Sequence, residues 1–280
     1  MQKEVFDSFF NPYAKNVDKA ADVSAFWRLS DEIITEVIRQ EIAPYCTNAS
    51  VTMDAGGGTG RWAVKLSTVL KGKIIVFDRS EDMLAKASKN ISKSNVSDRI
   101  SIVEGDLTQI DNFADNSVNN IVSIYSPLSF IYEQDKAAEE MFRILKPKGR
   151  ILVMSHGYHN AIASKINNYR ADAKELQKLV DTQIVKWAPH VPELVTHSKE
   201  SIEKIFTNVG FHIQKTYGVP IFIQPGSEDF DSNNKQKSAV SKYLENPNVF
   251  ESVFEIEMKF NSDETMANRG MNMFMLAEKK

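Results

Sequence analysis

Apolar residues change their spacing along the chain, and each change predicts a different element. Phe26, Leu29, Ile33, Ile34, Val37, Ile38 and Ile42 recur at the three-and-four spacing of a helix. Ser30 reads as its N-cap, Asp31 and Glu32 suit its first turn, and Pro44 stops it. From residue 51 onward, short runs rich in Val and Ile take over, at 51–53, 74–77, 100–103, 121–125 and 151–154. They are too short for helices and do not alternate, so each predicts a strand buried on both faces. Between them lie amphipathic stretches carried by Trp62, Ala63, Leu66, Val69 and Leu70, by Met83, Leu84, Ala87 and Ile91, and by Ala138, Met141, Ile144 and Leu145. The last of these runs into Lys146-Pro147-Lys148-Gly149, a helix stop ahead of a strand. Strand alternating with helix predicts βαβ units and a parallel sheet wound right-handed.

After His156 the alternation breaks. Ile162, Ile166, Tyr169, Ala173, Leu176 and Val180 keep a helical spacing, which predicts a helical insertion with one apolar stripe. That stripe either packs on the sheet or closes over a cleft as a lid. A helix over 201–209 ended by Gly210, a strand over 211–217, a polar loop over 225–234, a helix over 249–260 and a methionine-rich strand over 270–277 complete the pattern. No repeat and no compositional break interrupts it. The expected organisation is one domain over 1–280, with a helical cap over 1–45 and the insertion, a possible lid, over 156–200.

Composition narrows the class. The 280 residues carry 34 basic and 37 acidic side chains, a formal charge of −3, with 42% hydrophobic residues, which suits a globular chain. A lone Cys46 excludes an intramolecular disulfide and an all-cysteine metal site, and no apolar run is long enough to span a bilayer. Met1-Gln2-Lys3-Glu4 is charged where a signal peptide is apolar, so a cytoplasmic location is expected, with no membrane association. Slight negative charge without a basic run disfavours nucleic acid as a partner.

Candidate chemistry concentrates at the predicted strand ends. Val51-Thr52-Met53-Asp54-Ala55-Gly56-Gly57-Gly58-Thr59-Gly60-Arg61-Trp62 follows a strand and opens a helix, the context of a glycine-rich nucleotide loop. The same run also suits a tight strand-to-helix turn. Asp78 ends the second strand and Asp106 follows the third, so a parallel sheet would bring Asp54, Asp78 and Asp106 to one crevice. Each acid alone would also serve as a cap or turn residue.

In this order, the DxGxGxG element (Asp54, Gly56, Gly58, Gly60), the acid closing strand two and Gly105-Asp106 resemble the class I S-adenosylmethionine-dependent methyltransferases. Residues 113–121 resemble that family's approach to strand four, and residues 140–150 its helix and turn into strand five. The resemblance covers about residues 49–155, with a closing strand pair near Phe211 and Met273. It implies an α/β fold with a Rossmann-like, doubly wound, mostly parallel seven-stranded sheet, and S-adenosyl-L-methionine as cofactor. By the same resemblance Asp54 and the loop Gly56, Gly58 and Gly60 hold the methionine part. Asp78 binds the ribose, Asp106 accepts from the adenine amino group beside the Leu107 backbone, and Ser123 and Tyr125 line the methyl side. Ala55, Arg79, Met83 and Gly105 complete the implied cofactor-binding set.

Two positions depart from the family. The segment 126–130 lacks the Asn-Pro-Pro-Tyr pattern of amino methyltransferases that act on nucleic-acid bases or protein glutamine, and Asn119 and Asn120 stand where many relatives have an Asp. A nicotinamide oxidoreductase is the competing reading. Gly58-Thr59-Gly60-Arg61-Trp62-Ala63 satisfies GxGxxG/A and Asp78 lies 20 residues after Gly58, but that fingerprint needs neither Asp54 nor Asp106. A binding module without catalysis is a third reading, since methyl transfer needs few catalytic side chains.

An N, O or C acceptor with a proton to lose calls for a base, and histidine titrates near neutrality. His156, directly after strand five, is the candidate base or acceptor contact; a hydrogen bond to neighbouring loop backbone is its alternative role. His197 and His212 fall near a peripheral helix and strand, and His190 in a loop. Aromatic walls are available from Phe10, Tyr13, Phe26, Trp27, Tyr158, Tyr169 and Trp187, of which Tyr13, Trp27 and Tyr158, with His159, are the candidate acceptor-binding residues. No metal-ligand set is indicated. Aromatic residues without a polybasic strip favour a small organic acceptor, with a peptide or protein as the alternative.

Overall fold

A computed structural model describes residues 9, 18, 23–189, 191–230 and 236–280; Phe10, Tyr13 and His190 lie outside these. A seven-stranded sheet forms from β1 (Val51–Ala55), β2 (Lys73–Asp78), β3 (Ile100–Glu104), β4 (Val118–Ser123), β5 (Leu145–His156), β8 (Phe211–Val219) and β9 (Asn272–Lys279), in the order β3-β2-β1-β4-β5-β9-β8. Neighbours from β3 to β5 are parallel, while β9 runs antiparallel to both β5 and β8. The order reverses between β1 and β4, which opens a crevice at the carboxyl ends of the strands.

Helices cover both faces. On one lie α1 (Ala25–Glu41), α2 (Arg61–Val69), α3 (Glu81–Ser92) and α9 (Pro247–Phe260), packed through Ile33, Ile38, Leu66, Leu84 and Phe254 onto Val76, Val122, Leu152 and Phe274. On the other lie α4 (Gln134–Ile144) and α7 (Lys199–Val209), whose Met141 and Phe206 join Met53, Phe77, Ile121 and Val153. Alternate residues of each strand therefore feed opposite cores. Local chemistry fixes the helix ends: Ser80 caps α3 at the Met83 N–H, Ser198 and Ser201 form a capping box on α7, and Gly210 closes α7 at φ 111°.

Several sequence expectations shift. α1 starts at Ala25 under a Ser24 cap, so Ser30 is no N-cap; its hydroxyl donates to Phe26 O inside the helix. Asp31 is thereby moved from the first turn to the buried helix face. Lys146 to Gly149 are not a loop between helix and strand. They belong to β5, which shifts register against β4 there. β3 is an edge strand and only half-buried, since no strand among the described residues covers its outer side.

The insertion is not one stripe. It folds as α5 (Tyr158–Asn167) and α6 (Ala173–Thr182), with the chain turned at Arg170 (φ 53°) and restarted by the Asp172 cap. Ile166, Tyr169 and Val180 are consequently exposed. A two-stranded ribbon of β6 (Ile184–Val185) and β7 (Leu194–Val195) follows, and Ala161, Leu179, Val185 and Leu194 make a small core of its own. A short helix, α8 (Ala239–Tyr243), packs against α1. No helix among the described residues is long and apolar enough to cross a membrane.

Candidate active site

Three glycines of the β1–α2 turn adopt left-handed backbone, Gly56 at φ 72°, Gly58 at 51° and Gly60 at 69°, a region that L side chains rarely enter. A side chain at Gly56 would also strike Pro127, and one at Gly57 would strike the Asp54 carboxylate. Gly58 is different: a Cβ there would meet only the Met83 sulfur, 3.8 Å away. α2 begins at Gly60 without a side-chain cap. The Asp54 carboxylate reaches the Ala63 N–H in the first turn of α2 instead.

Asp54 lies under this loop, 1% exposed, and its Oδ2 is buried without a hydrogen-bond partner among the described residues. Burial, with the charge of Asp78 nearby, pushes its pKa up to about 7. A cationic or hydrogen-donating group arriving beside it would relieve that cost. Asp78 accepts the Gly58 N–H at 2.9 Å on one oxygen and the Ser80 N–H at 2.9 Å on the other, so it pins the loop to the end of β2. Each carboxylate oxygen keeps a lone pair for a further donor. Gly105 sits against the Phe77 ring, where a Cβ would be 2.4 Å from the nearest ring carbon, and its N–H donates to Asp78 O. Asp106 is half-exposed, holds Thr108 through its backbone and hydroxyl, and pairs with Arg79 at 3.5 Å; Leu107 is buried beside it. The structure therefore brings Asp54, Ala55, the glycines, Asp78, Arg79, Met83, Gly105, Asp106 and Leu107 to one edge. An orphaned carboxylate oxygen and open space over Gly58 suit an adenosyl cofactor with a charged amino-acid end.

Asn119 and Asn120 stand at the start of β4, remote from this edge. Asn119 accepts from Val51 N and Lys146 Nζ, and Asn120 donates to Cys46 Sγ and Thr52 Oγ1, so both serve strand packing. Ser123, at the other end of β4, donates its hydroxyl to Ala55 O at 2.8 Å and ties β4 to β1 across the reversal.

Tyr125 is clamped more tightly than its sequence position suggests. Its hydroxyl donates to Asp31, its ring meets Trp27 edge-on at 5.6 Å and Trp62 at 6.1 Å, and Arg61 lies 5.6 Å over its face. Trp27 in turn donates its indole N–H to Asp229 O at 2.7 Å and abuts Phe230. Asp18 accepts the Thr59 hydroxyl at 2.7 Å and the Asn90 amide at 3.0 Å, a second grip on the glycine-rich loop.

His156 ends β5 half-buried, with its ring 6.4 Å from Trp187, and no described residue hydrogen-bonds its ring nitrogens. Burial holds its pKa near 4 rather than near neutrality, so the ring is uncharged at pH 7. Its backbone N–H donates to Ser129 Oγ. His197 is not peripheral. It is 2% exposed, faces Gln134 Oε1 at 3.0 Å through Nε2 and Ser155 Oγ through Nδ1, and burial lowers its pKa to about 4. Because the Gln134 amide nitrogen donates to Leu128 O, its oxygen must accept, which puts the His197 proton on Nε2. Ser155 then donates to Nδ1 and accepts from Ser129. Tyr158 turns into the insertion, its hydroxyl toward Val180 O, while His159 is exposed.

Asp31, Arg61 and His197 were missed as site residues. Arg61 adjoined the glycine motif, but Asp31 was hidden by the misplaced helix start and His197 by its distance along the chain. Among the described residues, no group of three or more His, Cys, Asp or Glu is arranged to hold a metal ion.

Comparison with known proteins finds methyltransferases. Residues 52–149 match a family model described as a methyltransferase domain. A ubiquinone/menaquinone biosynthesis C-methyltransferase, UbiE, of Shewanella sp. (strain W3-18-1) is 24% identical over 191 residues, 68% of this chain and 70% of the relative. Among solved structures, a methyltransferase bound to the Trm112 activator of Haloferax volcanii superposes with a TM-score of 0.60 at 15% identity, covering 98% of this chain and 96% of that one. An S-adenosyl-L-methionine-dependent methyltransferase fold from Methanococcus maripaludis gives 0.52 at 24% identity, covering 74% of this chain and 88% of that one.

Proposed function

We propose a small organic acceptor for this chain, which belongs to the class I S-adenosylmethionine-dependent methyltransferases. When bound, S-adenosylmethionine supplies an electrophilic methyl on a sulfonium. In this reading Asp54 and the loop Gly56, Gly58 and Gly60 hold its amino-acid end, Asp78 takes the ribose hydroxyls, and Asp106 with Leu107 takes the adenine. Ser123 and Tyr125 mark the methyl side. Arg79, Met83, Ala55 and Gly105 shape the walls. The observation that carries the acceptor reading is the pairing of His156 with Trp187 past the end of β5, where an uncharged imidazole faces an aromatic ring.

The protein's own work is alignment and exclusion of water. Trp27, packed on Tyr125, walls the acceptor side in this reading, with Tyr158 turned away into the insertion. Neutral His156 accepts a hydrogen bond from the acceptor and takes its proton late, as the new bond makes that proton acidic; a base with pKa near 4 is too weak to remove it earlier. Segments 1–45 and 156–200 act as cap and lid of one catalytic unit over 1–280. A reducing, cytoplasmic setting fits the buried free thiol of Cys46. Carbon is the second reading for the methylated atom, since the relative from Shewanella is named a C-methyltransferase.

Calorimetry with S-adenosylmethionine, S-adenosylhomocysteine and a nicotinamide dinucleotide is the first test, with stoichiometric binding of the first two expected. Incubating the cofactor-saturated protein with a metabolite extract and reading retained compounds by mass spectrometry then identifies the acceptor. Binding of the dinucleotide alone would overturn the cofactor assignment, and methylation confined to peptides would overturn the small acceptor.

A further inference from the structure

Two histidines meet through their backbones at the end of β5. The His197 N–H donates to His156 O at 2.8 Å, and the Tyr158 N–H donates to His197 O at 2.8 Å. On its other side His156 is held through its own N–H, which donates to Ser129 Oγ at 2.9 Å. No described residue hydrogen-bonds the His156 ring, which faces Trp187 at 6.4 Å. The pose of that ring therefore follows from where its backbone is held.

What holds Ser129 is the His197 side chain. Ser129 donates to Ser155 Oγ at 3.3 Å, and Ser155 donates to His197 Nδ1. His197 Nε2 donates to Gln134 Oε1 at 3.0 Å, and the Gln134 amide donates to Leu128 O at 3.1 Å. Every donor points the same way along this chain, from the His156 N–H to Leu128, the neighbour of Ser129. The bonds thus close into a ring, and reversing one requires reversing the rest. Ser129, Ser155 and His197 are all buried. Apolar side chains would fill such a space without burying polar groups, whereas a fully satisfied network specifies one arrangement.

We infer that His197 is a positioning residue, acting through Ser155 and Ser129 to set the His156 ring against Trp187. The inference rests on the reading of His156 as the acceptor's contact, where a misplacement of about 1 Å costs roughly a hundredfold in rate. Without the Nδ1 acceptor, the Ser155 hydroxyl has one alternative among the described residues, His156 O at 3.4 Å. Turning there, it pulls on the backbone that carries the ring.

Histidine NMR of the full chain at pH 7 tests this without an acceptor, since both rings are uncharged there. The ring-proton shifts of His156, set beside those in Trp187→Leu, read its pose against the indole. Two substitutions divide the imidazole: the Asn amide oxygen replaces the Nδ1 acceptor, and Gln reaches the Nε2 end alone. His197→Gln should carry the His156 signals most of the way to their Trp187→Leu position, and His197→Asn should leave them near the parent's. Ser155→Ala should act as His197→Gln does, and the double variant should go no further. Should His197→Gln fail to fold, Ser155→Ala decides. A merely structural His197 would lower stability in both substitutions and move neither set of signals. Parent-like signals in His197→Gln or Ser155→Ala, or equal shifts in His197→Asn and His197→Gln, would overturn the role of His197. Coincident signals in the parent and Trp187→Leu would instead overturn the placement of His156 against Trp187.

Discussion

Along the edge from Asp54 to Asp106, each side chain comes from a strand end or the turn just after it. Tyr125, Trp27, His156 and His197, assigned above to the acceptor side or missed from it, come from the turn after β4, the cap helix, the end of β5 and the segment ahead of α7. The first side is built by local geometry: left-handed glycines, a carboxylate pinning two backbone N–H groups, a helix start with no side-chain cap. The second is built by long-range hydrogen bonds, such as Tyr125 to Asp31 and His197 to Ser155 and Gln134. A local design can be held constant while the other side is rebuilt for a new acceptor. The contrast yields separable effects.

The largest effect belongs to the acceptor side. With the acceptor in hand, His156→Asn should slow methyl transfer by roughly 10²–10⁴ while cofactor affinity stays within a few-fold, measured by single-turnover kinetics beside calorimetry. The parent's acid limb should fall near pH 4 and vanish in the variant. Equal turnover in both proteins would remove His156 from the chemistry. On the cofactor side, Asp78→Ala should lower affinity for S-adenosylmethionine by about a hundredfold, from two charge-assisted bonds at roughly 1.5 kcal/mol each. It should also loosen the loop that Asp78 holds at Gly58, seen as faster amide exchange there. Exchange spreading instead through the insertion would break the proposed separation.

The smallest effect is an acid one. His197 has a folded pKa near 4, below its ordinary 6.5, so unfolded chains take up its proton first as pH falls. Its contribution to stability is full above pH 6.5 and is lost toward pH 4. The stability of the parent relative to His197→Gln should therefore shrink by about 2 kcal/mol between pH 7 and pH 5 in urea titrations. Asp54 works in the opposite sense, since its pKa is raised to about 7, but it is common to both proteins and cancels. A pH-independent difference would mean that His197 keeps its ordinary pKa in the fold.

The same contrast governs what could be read from the sequence. Asp54, Asp78 and Asp106 were legible because a strand end followed by a turn leaves its mark within a few residues. The runs read as strands at 51–53 and 74–77 lie within β1 and β2 for the same reason, whereas the run at 121–125 starts inside β4 and overshoots its end at Ser123. Asp31 was not legible, because placing it required the helix start, and Ser24 and Ser30 are both competent caps on local grounds. The insertion looked like one helix because the apolar spacing ran on through Tyr169, and the break depended on Arg170 and Asp172 instead. His197 needed Gln134 and Ser155, whose proximity arises only from packing α4 and β5 beside the loop that precedes α7.

The place of β9 has a consequence for biosynthesis. It is the last of the described strands, yet it lies inside the sheet, pairing with β5 across 116 to 128 residues of chain. On a ribosome, β1 to β5 emerge first and can pair side by side, leaving residues 150–156 of β5 as an unsatisfied edge open to other chains. That edge, and the helices that wait to pack behind it, stay unprotected until β9 is translated. The parallel part of the sheet, β1 to β5, can assemble on an emerging polypeptide, and its closure by β9 cannot.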